Sequence, residues 1–195
     1  VKSARDLITT NTSKFSQPDR KKINLPGKYV FFPCQIPHDE TILFHSDVSV
    51  EIALSLTVQW CDKYDIPLVV KGHPVNPGSM ASLKKLVSDK TIWIDDASIH
   101  QLIENSEFVV TVNSGTGFET ILHNKPVVTF GRADYDCVSI QASPENYEFM
   151  FEYAMSPDAL AFPELYDRFI TWFVNECTVE STSLLSYEKI TKHFS

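Results

Sequence analysis

The stretch from Phe108 to Gly131, FVVTVNSGTGFETILHNKPVVTFG, restricts the possible folds of this chain more than any other. Phe108-Val109-Val110-Thr111-Val112 is a short apolar run rich in β-branched residues, which suits a buried strand. Asn113-Ser114-Gly115-Thr116-Gly117 breaks that run, and its two glycines permit a tight turn and close approach of backbone to a ligand. The pattern then predicts a helix over Gly117 to His123, stopped by Asn124 and Pro126, and a second buried strand from Pro126 to Phe130. Strand, Gly-rich turn, helix and strand form a βαβ unit with a right-handed crossover. Its turn aims backbone N–H groups and a helix N-terminus beyond the strand ends, a place that favours anions.

The flanking sequence repeats the alternation. Tyr29-Val30-Phe31-Phe32, Pro67-Leu68-Val69-Val70 and Thr91-Ile92-Trp93-Ile94 read as further strands. Helices are predicted over Val48 to Tyr64, with Asp47 or Ser49 as cap, over Ser79 to Val87, and over Ile99 to Asn105, capped by Ser98. Near the C-terminus, Leu165, Phe169 and Phe173 give one apolar stripe between Pro163 and Glu176, and Leu184 to Phe194 reads as a last helix. About five strands alternating with helices imply an α/β fold: a single Rossmann-like, doubly wound parallel sheet. Residues 1–25 are polar, without clear period, and are expected to form a linker or loosely docked arm ahead of a domain spanning 26–195. The basic cluster Arg20-Lys21-Lys22 within the arm is most simply a solvated surface.

In a doubly wound sheet, ligands bind beyond the carboxyl ends of the strands. Four polar segments directly follow apolar strands and are expected on that rim: Gln35 to Asp39, Lys71 to Pro74, Asn113 to Gly117, and Gly131 to Asp136. Lys71 and His73 offer positive charge or donors to a phosphate, and Ser114, Gly115 and Thr116 offer backbone N–H groups and hydroxyls. Glu119, on the first turn of the helix, has the chemistry to accept from a pair of sugar hydroxyls. Each residue also has an ordinary reading. A histidine before proline serves in turns, and Glu119 equally suits the helix dipole or a cap.

Other functions fit less well. The formal net charge of -8 argues against a general nucleic-acid binder. No GxGxxG follows the first strand, so NAD or FAD binding is not expected, and no GxSxG elbow supports a Ser-His-Asp hydrolase. His38, Asp39, His45 and Asp47 lack the helical spacing of a zincin, and no metal or other cofactor is expected. Cys34, Cys61, Cys137 and Cys177 are far apart with no CxxC, which suits reduced thiols. With no signal-peptide pattern and no membrane-length apolar run, a cytoplasmic protein is expected.

VVKGHPVNP, followed by SIHQLIENSEFVVTVNSGTGFETILHNKPVVTFGRADYD, resembles the bacterial capsule polysaccharide biosynthesis family that includes Kdo transferases. PCQIPHDETILFHSD resembles that family's Gln-x-x-x-Asp segment, so the likeness runs from Tyr29 to Asp136. The resemblance implies the C-terminal, donor-binding half of a two-Rossmann (GT-B) glycosyltransferase that uses CMP-Kdo. By that likeness His73 contacts the donor phosphate, and Ser114, Gly115 and Thr116, beside Lys71 and Asn113, hold phosphate or carboxylate. Glu119 holds the ribose, while Gln35 and Asp39 lie nearer the sugar and the cleft. The implied partners are the nucleotide-sugar donor, a saccharide or glycolipid acceptor and an N-terminal Rossmann half, with the full enzyme at the inner face of the membrane. The general base is expected outside this chain. If it is within, Asp39, Asp134 and Asp136 are the first places to look. A nucleotide-sugar 2-epimerase and a non-catalytic nucleotide-binding or docking module are the competing readings.

Overall fold

The computed structural model describes residues 2–75, 77–160 and 163–178. The helix expected over Leu184 to Phe194 lies outside these residues. Among the described residues six strands form one sheet in the order β3-β2-β1-β4-β5-β6, with every neighbouring pair parallel. They are β1 (Val30–Pro33), β2 (Leu68–Lys71), β3 (Ile92–Ile94), β4 (Phe108–Thr111), β5 (Val127–Thr129) and β6 (Ile140–Gln141). Val69, Val30, Val110 and Val128 thus sit on four adjacent central strands, as the apolar runs predict. The helices are α1 (Lys2–Thr9), α2 (Glu40–His45), α3 (Val50–Tyr64), α4 (Met80–Leu83), α5 (Ile99–Glu104), α6 (Thr116–Leu122), α7 (Tyr147–Met155) and α8 (Pro163–Trp172).

Side chains on a strand alternate between faces, so a sheet covered on both sides needs apolar residues at every position. Val30, Phe32, Leu68, Val70, Phe108, Val110 and Val128 point to one core, which they share with Leu54 and Trp60 of α3 and Phe151 of α7. Tyr29, Phe31, Val69 and Val109 point the other way, onto Leu102 and Ile103 of α5. On that second face Val127 meets Ile121 and Leu122 of α6 and Phe169 and Ile170 of α8. Of the predicted stripe, Phe169 is core and Phe173, just past the end of α8, packs against it, whereas Leu165 is exposed.

Several elements differ from the sequence reading. Of the two expected caps of α3 it is Ser49 that serves, accepting from Ile52 N at 3.3 Å. The helix expected over Ser79 to Val87 is a single turn of α4 after a 3-10 turn. β6 has only two residues, too few to show any period. The N-terminal segment contains a helix: Ala4, Leu7 and Ile8 of α1 pack against the α6–α8 core. Arg5 reaches Asp167 at 2.7 Å and Asn124 at 2.6 Å. Arg20 and Lys21 form exposed ion pairs with Glu104 and Asp96.

The Gly-rich turn holds no glycine with positive φ. Gly115 is helical, at φ -55 and ψ -21, and a Cβ there would meet nothing within 4 Å. Gly117 is required for packing instead, because a Cβ there would lie 2.1 Å from the hydroxyl of Tyr135 and 2.2 Å from its ring. The buried Tyr135 donates to the Ser114 carbonyl and so braces the turn from behind. Overpacking this contact in Gly117→Ala should cost about 1–3 kcal/mol in urea or thermal unfolding. Gly115→Ala should stay within about 0.5 kcal/mol of the parent. Equal effects of the two changes would contradict the packing described.

Candidate functional site

β1 and β4 are neighbours whose following connections leave the sheet in opposite directions, which opens a crevice at their carboxyl ends. Gln35, just past β1, spans it. Its Oε1 accepts from Thr111 Oγ1 at 2.9 Å and from the backbone N–H groups of Val112 and Asn113, each at 3.2 Å. Its Nε2 donates to Asn113 Oδ1 at 2.9 Å, and Asn113 Nδ2 donates onward to the Thr41 carbonyl at 2.9 Å. Gln35, expected near the sugar and the cleft, and Asn113, expected at the donor, both line the cavity described next, and through these amides they join the β1 loop, the β4 turn and α2. Asp39 caps α2, accepting from Thr41 N at 2.9 Å and Thr41 Oγ1 at 2.6 Å. Those two hydrogen bonds hold its carboxyl below the ordinary range.

Above this floor lies a cavity of about 550 Å³, into which Gln35, Asp39, His73, Ser114, Thr116 and Glu119 all open. A smaller recess of about 60 Å³ continues beneath it to Cys34 and Lys71. Lys71 ends β2 and is only 7 % exposed. Burial lowers its pKa below the ordinary lysine value, against the pull of Asp95 and Asp96. Asp95 is already engaged, by Lys84 at 3.0 Å and Trp93 Nε1 at 2.8 Å. Among the described residues no carboxylate comes within 4.0 Å of the Lys71 ammonium.

His73 is half-buried, and burial followed by the charge of Lys71 lowers its pKa. Its Nδ1 accepts from Val75 N at 3.3 Å, which leaves the proton of the neutral ring on Nε2 as a donor. In the β4–α6 turn, Ser114 Oγ accepts from Thr116 N at 3.2 Å and the Ser114 carbonyl from Gly117 N at 2.9 Å. The Gly115 N–H and the Thr116 hydroxyl have no hydrogen-bond partner among the described residues. Burial raises the pKa of Glu119, partly offset by the nearby Ser13 hydroxyl and by His100.

The fourth segment of the expected rim separates from the other three. Gly131 and Arg132 line a different cavity of about 410 Å³ together with His45 to Val48 and Gln141 to Glu145. Asp136 Oδ1 is occupied by Ala133 N at 3.0 Å and Gln141 Nε2 at 2.9 Å. Of Asp39, Asp134 and Asp136, only Asp39 lines the main cavity.

Conversely, Ser13, Lys14 and Phe15, within the stretch expected to be a linker or loosely docked arm, line the main cavity. The i, i+3, i+4 spacing of Ala4, Leu7 and Ile8, and Phe15 as the sole aromatic in residues 1–25, were the available signals. Among the described residues there is no cluster of three or more His, Cys, Asp or Glu suited to a metal, and no helix long and apolar enough to cross a membrane.

This architecture recurs in known proteins. The capsule polysaccharide modification protein LipB of Neisseria meningitidis serogroup A is 26% identical over 162 residues, covering 76% of this chain. The chain spans only 38% of LipB's length. Among solved structures, the β-Kdo 2,4-transferase KpsC of Thermosulfurimonas dismutans superposes with a TM-score of 0.56 at 18% identity, over 79% of this chain and 53% of that one. The UDP-GlcNAc 2-epimerase of Methanocaldococcus jannaschii, solved with UDP-GlcNAc and UDP, gives 0.51 at 13% identity, over 89% and 49%. These likenesses show the fold of one half of a GT-B enzyme. Sequence similarity extends from residue 4 to residue 179, and the chain belongs to the capsule polysaccharide biosynthesis protein family.

Proposed function

We propose that this domain is the donor-binding half of a glycosyltransferase that takes a CMP-activated sugar of the Kdo class. The observation that carries the reading is Lys71, a buried ammonium without an ion-pair partner among the described residues, at the base of a cavity rich in donors. A buried charge is costly unless it is paired, and a phosphate or carboxylate in the recess supplies the pair. His73 Nε2, the Thr116 hydroxyl and the Gly115 N–H add donors around such an anion, and the Glu119 carboxylate accepts from the ribose diol. As the acceptor hydroxyl attacks the anomeric carbon, the bond to the CMP phosphate breaks. Lys71 and His73 then stabilise the charge that gathers on the leaving phosphate.

Gln35 and Asn113 act here by fixing the turn, while Asp39 has one carboxylate oxygen left for the cleft. The general base, the saccharide or glycolipid acceptor site and the remaining wall of the cleft belong to an N-terminal Rossmann half. We place the full enzyme at the cytoplasmic face of the membrane. The match to a UDP-GlcNAc 2-epimerase makes that activity the second reading. It requires a preference for UDP.

Titration calorimetry with CMP, UDP and ADP tests the donor assignment: CMP should bind most tightly. His73→Ala and Ser114→Ala should each weaken CMP binding by about 1–3 kcal/mol. Lys71→Met should weaken it as well while leaving folding stability unchanged or higher, because an isosteric apolar stem removes the burial cost. Unaltered CMP affinity in all three folded variants would remove these residues from the donor site.

The pH dependence follows from the direction of the Lys71 shift. Its free-state pKa is below the ordinary 10.5, and a bound phosphate favours the protonated form. CMP affinity should therefore be greatest below that lowered pKa and fall as pH rises through it. Lys71→Met should abolish this alkaline limb.

Transfer by the domain alone should be very slow. Holding donor and acceptor in near-attack geometry supplies roughly 7–11 kcal/mol, and the acceptor half provides that positioning. Activity should return when an N-terminal Rossmann half is joined in cis. Efficient Kdo transfer by these residues alone would refute the division of labour.

A further inference from the structure

The arm does not simply pass by the site. Residues 11–18 form a loop closed at its base, where Asn11 Nδ2 donates to the Pro18 carbonyl at 2.9 Å. Three consecutive residues at the start of α5 pin both legs. Ser98, fully buried, donates from its hydroxyl to Asn11 Oδ1 instead of capping its own helix. The Ile99 N–H donates to Gln17 Oε1 at 2.8 Å, so Gln17 of the loop provides the cap. His100, also fully buried, holds the Thr12 carbonyl through Nε2 at 2.8 Å and meets His123 Nε2 through Nδ1 at 3.0 Å. Burial and the neighbouring His100 push the His123 pKa down to about 4, so at neutral pH it serves as the neutral donor that this arrangement needs. Anchored in this way, the tip of the loop stands over the cavity, and Ser13 and Phe15 face both the cavity and the recess above Lys71.

We propose that this strap is a wall of the nucleotide site and that Phe15 and Lys14 contact the ligand, Phe15 through its ring and Lys14 through its ammonium. The inference rests on the donor-site reading above. The Phe15 ring is packed at 80° to His73 with centroids 5.2 Å apart, next to the residue assigned to the phosphate. The Lys14 ammonium lies over the Phe15 ring, 5.5 Å from its centroid, and its charge is felt at both Asp39 and His73 across the cavity mouth. A solvent-exposed cation–π contact is weak and easily exchanged. A nucleotide replaces it with two better contacts: the base stacks on the ring and a phosphate oxygen takes the ammonium. Because the loop is closed and pinned before ligand arrives, little ordering cost remains to be met on binding.

Calorimetric titration of CMP into the parent protein and into Phe15→Ala, Phe15→Leu, Lys14→Ala and Lys71→Met decides the matter. Phe15→Ala should weaken CMP binding about tenfold, the usual scale for loss of one stacked base. Phe15→Leu keeps apolar packing in the strap and should restore the parent melting temperature without restoring affinity. Lys14→Ala should cost a few-fold at low salt, an effect that fades at about 0.5 M salt as an exposed charge is screened.

CMP should also slow hydrogen exchange at residues 13–16. If Phe15→Leu and Lys14→Ala bind CMP as the parent does while Lys71→Met does not, the strap is not part of the site and the donor reading stands alone. If the parent itself binds no CMP, both fall together.

Discussion

Gln35 Oε1 accepts three donors from the opposite side of the sheet's central crevice, and the geometry of the site depends on that contact. The crevice at a topological switch point is a defect in the layer of connections, and loops on its two sides have no reason to keep register with each other. One buried amide removes that freedom. It satisfies the N–H groups of Val112 and Asn113, which have left the β4 ladder, and its own N–H donor locks the Asn113 side chain. Asn113 then ties the turn to α2. The β1 loop and α2, close in sequence, are thereby joined to the distant β4 turn in one floor, and a hydrogen-bonded network of this kind specifies a single arrangement.

The electrostatics follow from what stands on that floor. The protein as a whole is acidic, yet Lys71 lines the recess, His73 lines both recess and main cavity, and Lys14 lines the main cavity. Asp95, the carboxylate that pulls most strongly on Lys71, is drawn off by Lys84 and Trp93. Among the described residues Glu119 is the one carboxylate lining the recess, and burial raises its pKa and so works against its charge. A site so arranged repels an indiscriminate polyanion through the overall charge while it accepts one compact anion at a defined depth.

The long strands could be read from sequence because a sheet buried on both faces leaves a continuous apolar signature, as in Tyr29 to Phe32 and Phe108 to Val112. β6 escaped notice because two residues carry no period. α1 escaped because Ala4, Leu7 and Ile8 give one short stripe amid polar neighbours. The candidate ligand residues Lys71, His73, Ser114, Thr116 and Glu119 were visible as polar groups directly after apolar runs. The division between structural and exposed groups was not, since it depends on partners distant in sequence. Gln35 finds its donors at Thr111 to Asn113, and the strap finds its anchors at Ser98 to His100. The glycines show the same limit. Local sequence suggests that both serve the turn's backbone, whereas Gly117 answers to Tyr135 and Gly115 to open space.

Tyr135 explains how the fourth strand-end segment serves the site without reaching it. The loop after β5 turns its polar groups inward upon themselves, with Asp136 occupied by Ala133 and Gln141. Its buried aromatic ring instead fills the space that Gly117 leaves and donates to the Ser114 carbonyl. The β4–α6 turn is therefore gripped from both sides: by Gln35 and Asn113 at its start, and by Tyr135 beneath the first turn of α6. Between these grips the Gly115 N–H and the Thr116 hydroxyl have no partner among the described residues. The packing that stabilises the turn also selects which of its donors remain free to meet a ligand, so fold and site are specified by the same contacts.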